Sequence, residues 1–438
     1  MNKQTNSLHP VQRIGIDKLK LYKFDIIDID FDYLTMLSTT KNNTDKPTDK
    51  NKSFVKVSYV GDSVRQFHIV DNTVFNELTI GYEVNPYGEI HEYCHLTLTV
   101  ADAKGNNAQP MSHSEYTAYL NMALSYIAHK YRVKLGAEKV QVLQMEINTN
   151  IPLKYTFMEY HRVLNLLFGE LVRIKGSKIF HASQPIDKDG GTKQKLETIE
   201  RRNGSEEVIG YDKRCELQAD GLNVAVLPAN LLRIEWRLKK SRKVASELGT
   251  NFWFELNDEI ICTAFYKRFY TESKVKFIKW KTKKEKELTR LINDFRKNDS
   301  RNWINTLIFD LLSMETNAGI PFILDLSQVT DAFMTLPDKH RRRTKVCKEI
   351  KNNYQKNSSK IFANHDLDKI EEIFGGIQAA YEDSMRAIDS GTVQDTNTAS
   401  VSDAANSGHP LRKHSGRMMV TAVFNILEIP KVNYIDSS

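Results

Sequence analysis

Strand-like sequence patterns fill the first half of this 438-residue chain and helical patterns fill the second, with the change near Lys239. The first half shows, in order, β-rich runs, a helix, a strand, a second helix, a hairpin and a final strand. This order favours helices packed on an antiparallel sheet. The sequence therefore predicts an α+β fold, an antiparallel sheet flanked by helices, followed by a C-terminal helical domain.

Two capping boxes mark where helices of the first half begin. They are Ser112 with Glu115 and Thr156 with Glu159. In such a box the hydroxyl and the carboxylate each accept a backbone N–H that the helix leaves unpaired. We expect the first helix to run to about Leu135 and the second to about Ile174.

The length of the chain exceeds what one hydrophobic core usually fills, so more than one domain is expected. We predict a first domain over residues 1–245 and a helical, basic domain over residues 246–388. Residues 389–438 begin with a stretch dominated by Ser, Thr, Asp, Asn, Ala and Gly. That composition predicts a disordered linker and a short tail.

Composition narrows the cellular setting and the class of partner. The four cysteines show no Cys-x-x-Cys spacing, no apolar run reaches the length of a membrane span, and the N-terminus lacks a secretory apolar stretch. We therefore expect a cytoplasmic protein without membrane contact. The net charge is +7, and residues 267–299 hold twelve basic and five acidic side chains. This local excess favours a phosphate partner, although a solvated helix face with Glu–Lys pairs explains it equally well.

Polar residues alternate with apolar ones along two predicted strands. Residues 140–148 place Glu146 on one face with Gln144 and Asn148, and residues 231–238 place Glu235 on one face with Arg233 and Arg237. If the strands are close in the sheet, Glu146 and Glu235 could share one hard cation, which prefers oxygen ligands. The alternative is an ordinary antiparallel sheet with one solvated face.

A predicted hairpin over residues 197–213 ends in a tyrosine that could act as a nucleophile. Tyr211 and Lys213 point to the same face, and a helix is expected from about Arg214. A phenol has a pKa near 10, so at neutral pH its attack needs a base or a cation that polarises the target. The alternative is a half-buried strand aromatic without a chemical role.

Three ordered blocks of sequence resemble the Rep initiators of rolling-circle plasmids and the gene II/X replication proteins of filamentous phages. They are LQMEI at 143–147, IGYDKRCE at 209–216 and LRIEWRLK at 232–239; GIDKL at 15–19 is similar to the family's first strand. The chain departs from the family pattern at Gln144, where Arg is usual, and at Glu146, where Asp is usual.

The resemblance implies a nicking-enzyme-like fold and cleavage of DNA by a tyrosine nucleophile. Tyr211 would attack the scissile phosphate at a replication origin, leaving a 5′-phosphotyrosyl link and a 3′-hydroxyl primer. Lys213 would assist catalysis and, with Arg214, bind flanking phosphates, while Glu146 and Glu235 would hold Mg²⁺ or Mn²⁺. The implied partners are duplex and single-stranded origin DNA, a host helicase and a polymerase. The chain could also form a homodimer.

Recognition of duplex DNA requires further basic residues. Residues 326–354 are similar to a helix-turn-helix whose second helix, residues 339–354, has Arg341, Arg342 and Arg343 in its basic first turn, although a solvated basic helix fits the same pattern. Arg237, on the polar strand face, is also assigned to DNA. The alternative function is a non-catalytic DNA-binding protein, such as a plasmid copy-number repressor, that dimerises through its N-terminal sheet.

Overall fold

The computed structural model describes residues 12–40, 53–60, 64–71, 73–84, 90–104, 108–172, 174–184, 195–219, 224–225, 227–297, 352 and 364–390. The chain forms two compact units. Unit 1 combines Met1–Ile14, Asn148–Arg237 and Cys262–Ser384, and unit 2 combines Gly15–Ile147, Leu238–Ile261 and Met385–Ser438. This division groups segments that are distant along the chain, and the contiguous domain ranges predicted from the sequence stay a prediction.

The described chain is α+β, with antiparallel strand pairs flanked by helices, as predicted. The strands are β1 (Gly15–Tyr22), β2 (Asp25–Ile29), β3 (Phe54–Val60), β4 (Val64–Asp71), β5 (Phe75–Val84), β6 (Ile90–Thr99), β7 (Val133–Gly136), β8 (Gln141–Pro152), β9 (Lys178–Gln184), β10 (Lys195–Arg202), β11 (Glu206–Asp212) and β12 (Leu231–Leu238). The helices are α1 (Phe31–Thr40), α2 (Val100–Lys104), α3 (His113–Tyr131), α4 (His161–Leu166), α5 (Lys213–Ala219), α6 (Ser241–Leu248), α7 (Asp258–Tyr266), α8 (Ser273–Lys297) and α9 (Asn364–Asp389). No described helix is long and apolar enough to cross a membrane.

Helix α3 begins where the first capping box predicts. The Ser112 hydroxyl accepts the Glu115 N–H, and the Glu115 carboxylate accepts the Ser112 N–H. The predicted end at Leu135 is wrong. Arg132 adopts a left-handed conformation with a φ of 52° that stops the helix at Tyr131, and the chain continues as β7, paired with β2.

The second capping box does not form as predicted. The Thr156 hydroxyl caps no backbone N–H and donates instead to the Glu159 carboxylate at 3.2 Å. The segment opens as a 3₁₀ turn over Phe157–Tyr160, continues as α4, and closes as a π-helical turn over Leu167–Leu171. The predicted single helix to Ile174 is therefore wrong in both its geometry and its end.

Unit 2 is built on strands in the order β3-β4-β5-β6-β1, and every neighbouring pair is antiparallel. Helix α3 packs on this sheet, with the Tyr116 hydroxyl donating to the Asp17 carbonyl at 2.7 Å. Asp71 is buried at the end of β4 and accepts hydrogen bonds at Oδ2 from two tyrosines and Lys130 at distances between 2.6 and 2.9 Å.

Unit 1 carries the strand order β8-β12-β11-β10-β9, with β8 entering it at Asn148. In β12 both faces are buried: Ile234 and Trp236 are 0% exposed, and so is Arg233. The alternative of a solvated sheet face is therefore wrong for this strand. Helix α9 belongs to the same unit as far as Ser384, and its Glu372 accepts the Tyr160 hydroxyl at 2.7 Å.

Candidate functional site

The hairpin of β10 and β11 places Tyr211 at the end of a strand in unit 1. Asn203 closes the turn, because its side-chain oxygen accepts the backbone N–H groups of Ser205 and Glu206. In the resulting register Thr198 faces Tyr211 across the ladder. Strand β11 ends one residue later, at Asp212, and α5 begins at Lys213. The predicted hairpin and the helix that follows it are both present.

The hydroxyl of Tyr211 is bound to the carboxylate of Glu235. It donates to Oε1 at 2.5 Å, and the two side chains are buried, with residue exposures of 9% for Tyr211 and 1% for Glu235. Arg237 holds the other oxygen, Oε2, through Nη2 at 2.7 Å and Nε at 3.1 Å. The carboxylate is thus fixed between a phenol and a guanidinium, and its charge has a cationic partner.

Burial and neighbouring charges shift the pKa values of Tyr211 and Glu235 in opposite directions. Burial raises the pKa of Tyr211 well above its usual value, and the neighbouring charge of Glu235 raises it further. Burial also acts to raise the pKa of Glu235, but the guanidinium charges of Arg237 and Arg233 outweigh it, so the net shift of the Glu235 pKa is downward. The resting pair is therefore a neutral phenol that donates to a carboxylate.

Lys213 lies beside the tyrosine ring. Its Nζ is 5.8 Å from the centre of the Tyr211 ring and donates to Glu216 Oε2 at 2.5 Å, with the lysine fully buried. A buried ammonium needs a carboxylate partner, and Glu216 supplies it from the next turn of α5. Tyr211 and Lys213, predicted from the strand alternation, are therefore close together in the structure.

Sequence reasoning missed a buried polar cluster on the same side of β12. Arg233 Nε donates to Asn150 Oδ1 at 2.8 Å, and Asn150 and its neighbour Asn148 are buried on β8. Neither side-chain polar atom of Asn148 has a hydrogen-bond partner among the described residues. A signal was available, because the alternation that singles out Glu235 also places Arg233 on its face.

The surroundings of Glu235 do not fit a bound cation. Both carboxylate oxygens already accept hydrogen bonds, and two guanidinium groups stand beside them, which disfavours a second positive charge. Glu146 is half-buried on β8 and belongs to unit 2, whereas Glu235 belongs to unit 1. Among the residues that the structure describes, no group of three or more His, Cys, Asp and Glu side chains could hold a metal ion.

The residues predicted to bind DNA have different surroundings. Arg214 Nη1 donates to the carbonyls of Leu227 and Pro228 at 2.8 and 3.0 Å, and Arg237 lies against Glu235 and Glu207. Arg341, Arg342 and Arg343, with the whole predicted helix-turn-helix, lie outside the described residues. The DNA roles of these five arginines stay predictions.

Comparison with known proteins finds similarity among solved structures. No family model matches the chain, and no curated protein matches it. A solved rolling circle replication initiator protein from Geobacillus stearothermophilus aligns with 54% of this chain and 77% of its own, at 11% sequence identity and a TM-score of 0.28. At that TM-score the similarity carries no argument about fold or function.

Proposed function

We propose that this chain is a replication initiation protein that nicks an origin of a plasmid or phage through Tyr211. The observation that supports the proposal is the hydrogen bond from the Tyr211 hydroxyl to the buried Glu235 carboxylate. This pair joins two of the three sequence blocks that resemble the rolling-circle initiators. It also provides a proton acceptor for a phenol that cannot ionise by itself at neutral pH.

The proposed step transfers a phosphodiester to the tyrosine. The Tyr211 oxygen bonds to phosphorus at the 5′ side of the nick, the bond from phosphorus to the 3′ oxygen breaks, and a proton from solvent completes the 3′-hydroxyl. Glu235 Oε1 takes the phenolic proton. Because the pKa of Tyr211 is raised and that of Glu235 is lowered, the proton moves as the oxygen attacks rather than beforehand.

The cations beside the pair have distinct roles in this step. Arg237 is 32% exposed at its side chain and would contact a phosphate from its position between Glu235 and Glu207. Lys213 is fully buried and positions the tyrosine ring. No step runs through a metal, because the environment of Glu235 does not fit one; Mg²⁺ or Mn²⁺ at Glu146 and Glu235 stays a prediction that chelation tests.

The decisive experiment detects a covalent bond between protein and DNA. The full chain is mixed with supercoiled plasmid that carries its coding sequence and flanking DNA, and open circles with protease-sensitive adducts are counted. We expect Tyr211→Phe to fold and bind but to form neither product. Tyr160→Phe is the matched control, since Tyr160 is also a buried tyrosine of unit 1 that donates to a glutamate. Wild-type nicking by Tyr211→Phe, or its loss in Tyr160→Phe alone, would move the nucleophile elsewhere.

One observation favours the second candidate function, a non-catalytic DNA-binding protein such as a copy-number repressor. Tyr211 is only 9% exposed and its hydroxyl is already satisfied by Glu235, as expected for a structural tyrosine. On this alternative the supercoiled plasmid is bound but never opened, with or without Tyr211. The adduct assay therefore separates the two functions.

The proposal extends to partners and setting. Origin DNA is the substrate in both duplex and single-stranded form, and a helicase and a polymerase of the host extend the 3′-hydroxyl. These partners, the cytoplasmic setting and a homodimer follow from the resemblance and the composition. Pull-down of helicase activity on nicked DNA, with intact supercoiled DNA as the control, tests the partner assignment.

A further inference from the structure

A line of positive side chains follows one face of helix α8 in unit 1. Lys279, Lys283, Lys286 and Arg290 are separated by four, three and four residues, which places them within roughly 60° of one another around the helix axis. We call these four residues the basic face. All four side chains are exposed, and they line a groove of about 620 Å³.

Most of this charge has no internal partner. Within the part of the chain that the structure describes, Lys283 lies 3.7 Å from Glu287, whereas Lys279, Lys286 and Arg290 have no carboxylate partner. Four cations against Glu287 leave an excess of three positive charges on the face. Among the described residues these three side chains are not neutralised by a carboxylate, so their charge is available to an external anion.

The opposite side of α8 is attached to unit 1. Phe277, on that side, is buried and packs its ring 6.0 Å from that of Phe374 on α9. Phe277 is therefore used inside the unit, and among the described side chains of α8 only Val275 and Ile278 are large, apolar and exposed, which is a small area for insertion into a lipid surface. Packing of this side fixes the helix in unit 1 and leaves its basic face exposed to solvent.

We infer that the basic face of α8 binds the phosphate backbone of duplex DNA without regard to sequence. The four cations span roughly 16 Å along the helix, and duplex DNA carries a phosphate charge about every 1.7 Å of its axis, so several contacts form at once. The face carries no aromatic side chain, whereas single-strand binding combines cations with aromatic stacking. Three of the four are lysines, which act as point charges rather than as base-reading forks.

This inference rests on the proposed function and deepens it. A nicking centre that contacts a few nucleotides needs a second surface to hold the duplex beside it. The basic face supplies affinity and leaves sequence selection to other residues. Its removal should therefore weaken duplex binding for every sequence to the same extent.

The test compares two triple variants of the full chain. The face variant carries Lys279→Gln, Lys286→Gln and Arg290→Gln. The control variant carries Lys274→Gln, Lys281→Gln and Lys284→Gln, on the opposite side of the same helix. Each removes three positive charges, so their net charge is equal, and two of the control lysines also have carboxylate partners, Lys274 with Glu371 at 3.7 Å and Lys284 with Glu287 at 3.1 Å.

Binding is measured by fluorescence anisotropy with a 30-base-pair duplex of arbitrary sequence over a range of NaCl concentrations. For three lost phosphate contacts we expect the log-log salt slope of the face variant to fall by roughly 2.7, and its affinity near 0.1 M salt to fall on the order of 10²-fold or more. The control should keep its slope within about one unit. Equal losses in both variants, an unchanged face variant, or tighter binding to a single strand, an acidic protein or anionic vesicles would overturn the inference.

The outcome is separable from that of the nicking proposal. Binding is measured in a Tyr211→Phe background as well, where no covalent product can form. If duplex binding depends on the face but the wild-type chain never forms an adduct, the nicking function fails and the inference holds. If a short single-stranded oligonucleotide is nicked while the face variant binds duplex normally, the nicking function holds and the inference about the basic face fails.

Discussion

Replacing Glu235 by Gln tests whether the buried carboxylate holds unit 1 together by its charge. The carboxylate is 1% exposed and accepts from Tyr211 at 2.5 Å and from Arg237 at 2.7 and 3.1 Å. The amide oxygen of Gln can still face Arg237 and its amino group can face the phenol oxygen. What is lost is the negative charge between Arg237 and the fully buried Arg233.

The expected change in the free energy of unfolding follows from the loss of this negative charge. Breaking a buried ion pair costs about 3–5 kcal/mol and a hydrogen bond to a charged group about 1.5–3 kcal/mol. Because Gln keeps its hydrogen bonds and Arg237 is 32% exposed, we expect the free energy of unfolding to fall by about 2–4 kcal/mol. Nicking should also fall, since the amide cannot accept the phenolic proton.

The assay is urea unfolding followed by tryptophan fluorescence, which includes Trp236 on the same strand. Glu372→Gln is the control, because Glu372 also accepts a tyrosine hydroxyl, at 2.7 Å, and its carboxylate pairs with no arginine in the described contacts. We expect it to cost about 1 kcal/mol. Equal destabilisation by the two variants would refute the argument that charge pairing at Glu235 matters.

The same pair predicts a dependence on pH. The Glu235 pKa is lowered on folding, so its stabilisation is complete above the usual carboxyl pKa and is lost as the pH falls below it. Unfolding of the wild-type chain should become easier through this acidic range. The Glu235→Gln variant should lose that part of the dependence, and an unchanged acid profile would contradict the assignment.

Three further perturbations have defined outcomes. If a metal acts, as the sequence predicts, Glu146→Gln and excess EDTA should both lower the nicking rate. The hydrogen bonds of Glu235 predict instead that EDTA leaves the rate unchanged. The nicking rate measured with EDTA, compared with the rate measured with added Mg²⁺, distinguishes the two predictions. Asp71→Asn removes the charge that accepts two tyrosines and a lysine in unit 2, so stability by urea unfolding should fall by about 1.5–3 kcal/mol, and an intact midpoint would disprove this. Gly210→Ala places a methyl group 2.5 Å from the Phe168 ring and should cost about 1–3 kcal/mol, with Gly204→Ala, which meets nothing within 4 Å, as the control.

Local patterns in the sequence predict much of unit 1. The bounds of β12, the hairpin before Tyr211 and the start of α5 follow from alternation, turn residues and the period of a strand. These signals are local, so they can be interpreted without knowing which distant residues make contact. The proximity of Tyr211 to Lys213 is also predicted, but its cause differs from the strand alternation, because Lys213 begins α5 and the turn into that helix places Nζ 5.8 Å from the tyrosine ring.

Distant contacts account for what could not be predicted. The bond from Arg233 to Asn150 joins residues 83 positions apart, and nothing in either local pattern links them. The burial of both faces of β12 depends on what covers the sheet, which alternation does not reveal. The early end of α3 depends on the left-handed backbone of Arg132, a residue whose type does not demand it.

The contact between Gly210 and Phe168 also determines which way the proposed nucleophile points. Because neighbouring residues of a strand face opposite sides, a slip of β11 by one position would carry the Tyr211 side chain to the side where Gly210 now lies. The Phe168 ring leaves no room there even for a methyl group. The alignment shifted by one residue is thus excluded by a collision as well as by lost pairing, and the observed alignment of the hairpin directs the phenol towards Glu235.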